Sequence, residues 1–386
     1  MKNKMIPLSV PNISGNEWKY VKDCLDTAWI SSAGKYVDKF EEAIRVYTGS
    51  KYAIACMNGT AGLQISLQLA GVSNEDIVIA PNLTFVATLN AITYIGSQII
   101  LVDICKNTWQ MDIDLLQKWL KKNTKTKLVN GKTISVEKLS GKKIGAIMPV
   151  YVLGGFVNIE KLLKISETYG IPIVEDSTEA LGSFNNGKHS GTYGTAGVIS
   201  FNGNKIISTG GGGMILTNDK DIAKSAKHIT TTAKSDPLDY FHDEVGYNYR
   251  LVNVLAAIGL AQMENFETIL RRKKEIDYLY KKELSGIGDI IFQENVIDSQ
   301  PNCWLFTFRT KKMRELLHYL NDKKIQSRPF WTPMNNLPMY KNLIYINEND
   351  ISNSIFKECI SIPSSSNLTN YDQRQVISEI KNFFKL

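Results

Sequence analysis

Two patterns of apolar residues alternate along this chain. Short, mainly apolar runs at 53–56, 77–80, 98–102, 144–148, 171–174, 197–201 and 214–217 are bounded by glycine, proline or polar residues. Runs of that length read as buried strands. Between them, apolar residues recur at helical spacing. Val37, Phe40, Ile44 and Tyr47 share one face of a helix predicted over 36–47. Further helices are predicted from the 57–62 turn to about Ala70 and over 253–264. Ser14-Gly15-Asn16-Glu17 fits a capping box, which places a helix start there and its end near Asp26. The alternation of strand and helix from 52 to 103 predicts a doubly wound, mostly parallel sheet. The chain from about Phe266 carries no internal repeat, and the expected division is a large domain over 1–265 and a smaller one over 266–386.

Two segments break the pattern. Residues 118–143 are rich in lysine and predict an exposed excursion with a hairpin at Asn130-Gly131. Residues 230–243 are polar, are interrupted at Asp236-Pro237, and predict a mobile loop.

Composition narrows the function classes. At 386 residues the chain is long enough to bury a sizeable core. Its net charge of +7 comes from dispersed basic residues without interleaved aromatic ones, which argues against nucleic acid as a partner. A modest positive field would instead draw in an anionic small molecule. Cys24, Cys56, Cys105, Cys303 and Cys359 are far apart and odd in number, so a disulfide framework is not predicted and the reducing cytoplasm is the natural compartment. His189, His228, His242 and His318 form no ligand pattern, and no metal is predicted. The start at Met1-Lys2-Asn3-Lys4 lacks the apolar centre of a signal peptide, and no apolar run is long enough to span a bilayer.

Three stretches carry candidate chemistry. Lys205 follows the 197–201 run and the Asn202-Gly203-Asn204 turn, has Ile206 and Ile207 beside it, and precedes four glycines at 210–213. A lysine desolvated there becomes a better nucleophile, suited to a Schiff base with a carbonyl compound. Taken alone, a strand-end lysine reaching into solvent is the commoner case. Upstream, the 171–174 run ends at Glu175-Asp176, and ligands of parallel sheets sit at such carboxyl ends. A carboxylate there can hold a protonated ring nitrogen, although most strand-end aspartates cap a helix. Third, Asn58-Gly59-Thr60-Ala61 turns from a strand into a helix and offers backbone N–H groups to a phosphate. An amine, an anion and a phosphate seat together fit pyridoxal phosphate.

Five motifs then occur in a telling order: Asn58-Gly59-Thr60-Ala61, Pro81-Asn82-Leu83-Thr84-Phe85-Val86-Ala87-Thr88, Glu175-Asp176, Ser200-Phe201 with Lys205, and Gly246-Tyr247-Asn248-Tyr249-Arg250. From about Ile6 to Tyr340 the chain resembles the nucleotide-sugar aminotransferases of the DegT/DnrJ/StrS type. The Asn202–Lys205 turn and the unbroken glycines are similar to the branch that aminates C4 of UDP-linked 4-keto-6-deoxy-N-acetyl sugars for legionaminic acid or bacillosamine. The resemblance implies a fold type I, aspartate aminotransferase-like α/β protein: a large domain with a mostly parallel sheet and a smaller C-terminal α/β domain. It implies pyridoxal 5′-phosphate bound by Gly59, Thr60, Ala61, Phe85, Asp176, Glu179, Ser200, Lys205 and Asn248. Within that set Phe85 stacks on the ring, Glu179 bonds the ring oxygen, and Asn248 reaches the phosphate of a neighbouring subunit, so a symmetric dimer with shared sites is implied. Trp29, Ser31 and Arg328 are implied as substrate contacts, with Trp29 as a mere loop anchor an equal alternative. Relatives often carry histidine where this chain has Asn335. The implied reaction moves an amino group from glutamate to C4 of a nucleotide-linked keto sugar, with Lys205 as proton carrier.

Other readings stay open. The nucleotide can be GDP or dTDP and the position C3. A non-catalytic, cofactor-binding regulator would share the motifs. A dehydratase of this type has histidine in place of Lys205. A dinucleotide oxidoreductase fits poorly, because the glycine run follows the lysine and leads into a strand.

Overall fold

The computed structural model describes residues 5–236 and 238–385; the chain start at 1–4 and Pro237 of the expected break lie outside the described residues. In chain order the first half is built from α1 (Glu17–Asp26), α2 (Lys35–Thr48), β1 (Tyr52–Cys56), α3 (Gly59–Leu69), β2 (Ile77–Pro81), α4 (Ala87–Ile95), β3 (Gln98–Val102), α5 (Ile113–Asn123), β4 (Thr124–Val129), β5 (Lys132–Glu137), β6 (Ile144–Ile147), α6 (Ile159–Tyr169) and β7 (Val174–Asp176). The second half adds β8 (Ala196–Ser200), β9 (Gly213–Thr217), α7 (Lys220–Thr230), α8 (Asn253–Glu264), α9 (Phe266–Leu284), β10 (Phe306–Arg309), α10 (Met313–Asp322), β11 (Ile344–Ile346), α11 (Ile351–Glu358), β12 (Cys359–Ile362) and α12 (Asn370–Lys385).

The central sheet has the order β11-β3-β2-β6-β7-β8-β9-β1. Two four-stranded ladders meet through parallel bridges at Ile147–Ile173 and Val150–Asp176. All its pairings are parallel except those of β9, which lies antiparallel between β8 and β1. The strands are apolar on both faces because helices cover both. One layer packs α3 and α4 on Val78, Leu101, Val198 and Ile215, and the other packs α5 and α6 on Ile77, Ile100 and Ile147. Around β1 and β9 a third cluster joins α2, α8 and the start of α9. There the Phe40 ring lies on α8 at Gly259, where a Cβ would come within 2.6 Å of it. A smaller antiparallel sheet pairs β10 with β12 and takes Ile291–Phe292 and Arg328–Pro329 at its edges. Helices α9, α10 and α12 close its core through Tyr280, Leu316 and Val376.

The expected mostly parallel sheet is present, and four local expectations are corrected. The capping box does not form: Asn16 caps α1 without a side-chain bond, Ser14 Oγ accepts from Asn265 Nδ2, and Glu17 turns to the Gly15 N–H and Gln262. Tertiary donors outcompete the local motif. The strand expected over 171–174 is displaced to Val174–Asp176, since Pro172 has no N–H to give a ladder. The exposed excursion over 118–143 opens with the last turns of α5, where Leu120 is buried; beyond it β4 and β5 form the expected hairpin. The segment expected as a loop over 230–243 contains a short antiparallel ribbon, Lys234–Asp236 with Phe241–His242. No helix among the described residues is long and apolar enough to cross a membrane.

Candidate active site

Strands β7 and β8, helix α3 and the start of α4 converge on a cavity of about 290 Å³. Lys205 enters it from a tied loop. Phe201 follows β8, is buried, and packs against the tilted ring of Phe40 with centroids 4.8 Å apart. The Phe201 N–H donates to the Gly212 carbonyl, and the Thr209 N–H donates to the Phe201 carbonyl, so residues 201–212 form a closed loop. Within it the Lys205 N–H donates to the Asn202 carbonyl at 3.0 Å, and buried Ile207 anchors the far side. The lysine side chain is 11% exposed, and its Nζ lies 3.7 Å from Glu179 Oε1 and 4.2 Å from the centroid of Trp304. Burial pushes the amine pKa down, while the Glu179 and Asp176 carboxylates oppose that shift. Burial likewise pushes Glu179 up to about 7, opposed by Lys205 and by the Leu153 N–H, which donates to Oε2 at 2.8 Å.

The acidic pair splits to opposite faces, as successive strand residues must. Glu175 turns into the protein and accepts from the Tyr151 hydroxyl at 2.5 Å and from the N–H groups of Gly191, Tyr193 and Gly194. Asp176 faces the cavity. Its Oδ2 accepts from Thr88 Oγ1 at 2.7 Å, and its Oδ1 accepts from the Thr178 N–H at 3.2 Å. Thr88, having donated to Asp176, accepts from Thr84 at 2.7 Å. The chain Thr84–Thr88–Asp176 thus holds the carboxylate in one orientation.

Opposite lies the N-terminus of α3. Asn58 caps it: its Oδ1 accepts the Ala61 N–H at 2.8 Å and its carbonyl accepts the Gly62 N–H at 3.1 Å. The N–H groups of Gly59 and Thr60, both on the cavity wall, have no acceptor among the described residues. Two glycines keep this corner open and tight. A Cβ on Gly59 would lie 3.0 Å from Ser200 Cβ and Thr178 Cγ2, and one on Gly213 would lie 2.7 Å from the Asn58 backbone.

Of the residues singled out from sequence, Gly59, Thr60, Phe85, Asp176, Glu179, Ser200 and Lys205 line this cavity. Ala61, Trp29, Ser31, Asn248 and Arg328 do not. The Ala61 N–H is already given to Asn58, Trp29 and Ser31 lie on an exposed loop tied through their carbonyls to Asn253, and Arg328 is exposed on an edge strand. Asn248 is exposed, and its backbone bridges Thr231. Asn335 faces neither lysine nor carboxylate; it exchanges hydrogen bonds with Asn82. Sequence reasoning assigned no role to Thr88, although the residue stood in a quoted motif, or to Trp331, and it missed Trp304 altogether. Trp304 lies far along the chain in Cys303-Trp304-Leu305, with no local motif to mark it.

Residues 11–381 match the model of the DegT/DnrJ/EryC1/StrS aminotransferase family. The chain belongs to that family. It is 34% identical over 384 residues to GDP-perosamine synthase of Escherichia coli O157:H7, covering 99% of both chains. It is 32% identical over 385 residues to GDP-perosamine synthase of Vibrio cholerae, covering 98% of this chain and 99% of that one. Among solved structures, a DegT DnrJ EryC1 StrS aminotransferase from Brucella abortus superposes with a TM-score of 0.86 at 22% identity, over 96% of each chain. The fold is therefore that of fold type I, as the sequence implied.

This family member is a pyridoxal 5′-phosphate-dependent sugar aminotransferase. The cavity meets the cofactor's chemical needs with groups already in place. Gly59 and Thr60 offer free N–H groups at a helix start, Asp176 offers an oriented anion, and Lys205 offers a desolvated amine.

Proposed function

We propose that this enzyme transfers the amino group of glutamate to C4 of a 4-keto-6-deoxy sugar linked to a nucleoside diphosphate, for surface-glycan synthesis in the cytoplasm. The observation that carries the reading is the Lys205 amine, held within 3.7 Å of Glu179 in the cavity that Asp176 also faces. Pyridoxal phosphate, when bound, supplies an electrophilic aldehyde and a ring that stores an electron pair. Gly59, Thr60 and Ser200 would hold its phosphate, Phe85 its ring face, and Asp176 its ring nitrogen. Lys205, with its lowered pKa, has a neutral fraction that can take a proton from the donor's α-carbon and deliver it to the cofactor, and it would carry the proton in the reverse direction when the keto sugar is aminated. Glu179, whose Oε1 lies 3.7 Å from the lysine amine, would bond the cofactor's ring oxygen.

Two nucleotides have separate support. The Asn202–Lys205 turn and the Gly210–Gly213 run favour UDP-2-acetamido-2,6-dideoxy-hexos-4-ulose. The names of the Escherichia coli and Vibrio cholerae relatives favour a GDP-linked sugar. Incubating the enzyme with glutamate and UDP-, GDP- or dTDP-linked 4-keto-6-deoxy sugars, with products read by mass and NMR, decides between them. In the same assay Lys205→Ala is expected to abolish both the visible absorbance of the cofactor-loaded protein and the release of 2-oxoglutarate. Full turnover in that variant with the absorbance retained removes the assignment of Lys205, and no 2-oxoglutarate from the wild type with any of these sugars removes the proposed substrate class.

The working assembly proposed is a homodimer with shared sites. Asn248, exposed and outside its own chain's cavity, is the contribution to the neighbour. Trp29, Ser31 and Arg328 are proposed to meet the sugar nucleotide or the donor carboxylate outside the inner cavity.

A further inference from the structure

Trp304 comes from the segment leading into β10, far in sequence from the motifs above. It is 2% exposed, yet it lines the cavity. Its indole face lies 4.2 Å from Lys205 Nζ, and its Nε1–H donates to the Asn204 carbonyl at 2.6 Å, one residue before the lysine. Its backbone is clamped from two sides. The N–H donates to Asn302 Oδ1 at 3.0 Å, and the carbonyl accepts from Lys273 Nζ, which also donates to the Ser364 carbonyl. Asn302 is fully buried, and its Nδ2 donates to the carbonyls of Glu179 and Leu181 at 2.8 and 2.9 Å. The same amide therefore holds both Trp304 and the backbone of Glu179. Lys273 on α9 is 3% exposed and makes no ion pair among the described residues. Burial drives its pKa down to about 7, so it sits where its charge is costly and its donors are used on carbonyls.

We infer that Trp304 is a positioning residue for the Lys205 amine, and that Lys273 and Asn302 act through it. The aromatic face attracts the ammonium form and bounds its arc, while the indole N–H ties down the turn from which the lysine springs. The amine is thus kept between Trp304 and Glu179. This inference rests on Lys205 being the reactive amine.

The test uses Trp304→Phe, which keeps a ring but loses the N–H donor; Trp304→Leu, which loses both; and Lys273→Met, which loosens the clamp and leaves the indole in place. Two readouts are taken. One is the rate at which pyridoxal phosphate added to cofactor-free protein develops the lysine-dependent absorption band, and how that band titrates with pH. The other is kcat and KM for the sugar nucleotide. Trp304→Leu is expected to slow band formation and lower kcat by roughly tenfold or more, as loss of orientation does, with KM nearly unchanged. Trp304→Phe and Lys273→Met are expected to move both readouts the same way by less. A raised KM with kcat retained would assign Trp304 to the substrate wall it forms with Trp331 and overturn the inference, as would an unchanged band rate and kcat in all three. If Trp304→Leu shows no cooperative melt, the two milder variants are read by the same criteria. A wild type that forms no band would overturn the role of Lys205 itself, and so separates the two failures.

Discussion

Thr88 donates its hydroxyl to Asp176 at 2.7 Å inside a cavity wall where both side chains are buried. A hydrogen bond to a buried charge is worth about 1.5–3 kcal/mol. Thr88→Val keeps the shape and removes the donor, so the thermal midpoint is expected to fall by a few degrees and kcat/KM roughly ten- to hundredfold; steady-state kinetics beside a melt checks this. Glu179 gives a second residue-level prediction. In the folded protein its carboxyl keeps its proton to about pH 7, whereas its ordinary value is 4.5. Between these values the unfolded chain binds fewer protons than the folded one, so Glu179 makes stability fall as pH rises through that window. Glu179→Gln is expected to flatten the melting temperature of cofactor-free protein across it, recovering on the order of 1–3 kcal/mol at the upper end. An unchanged slope in scanning calorimetry would remove this account of Glu179.

The phosphate corner is a property of elements. Helix α3 starts where it does because Asn58 caps it, and β9 passes close enough to touch that cap because position 213 has no side chain. Gly213→Ala would place a Cβ 2.7 Å from the Asn58 carbonyl and 2.9 Å from Cys56 Sγ. The expected cost is about 1–3 kcal/mol of stability, with a larger proportional loss of pyridoxal phosphate affinity, read by fluorescence titration. Gly203→Ala is the control. Nothing lies within 4 Å of its Cβ, and both quantities are expected to stay at wild-type values. The elements themselves were largely readable in advance, because the apolar runs of β1, β2, β3, β6, β8 and β9 and the helical face of α2 are strong local signals. The capping box at Ser14 located α1 correctly although its bonds do not form, since Asn265 and Gln262 compete for them, and the strand expected over 171–174 was misplaced, since Pro172 interrupts it.

At the scale of the molecule, the proposal to test is that Asn248 completes the site of a neighbouring chain. Asn248 is exposed, and nearby apolar side chains are left in solvent, with Leu238 at 88% and Val245 at 86% exposure. In the proposed dimer these side chains would be covered. Sedimentation is expected to give a mass about twice 43.3 kDa. A mixture of Lys205→Ala and Asn248→Ala chains, each nearly inactive, is expected to recover roughly a quarter of wild-type activity, because half the dimers are hybrids with one intact site of two. Activity no greater than the sum of the separate variants would place Asn248 in its own chain's site or in none.

What the sequence determined by itself is whatever short-range chemistry encodes: the alternation that builds a mostly parallel sheet, the glycine turn that opens α3, and the candidacy of Asp176 at the end of one apolar strand and of Lys205 in the turn after another. Tertiary structure alone decided which distant groups meet them. Thr88 reaches Asp176 across 88 positions of chain, and Trp304 reaches the Asn204 carbonyl across 100. No pattern along the chain signals such a meeting, because it arises from how the sheet stacks its strand ends and how the second sheet is set against them. The same packing decided the electrostatics, since it is burial, absent from any local motif, that lowers the lysine's pKa and brings Glu179 close to neutrality.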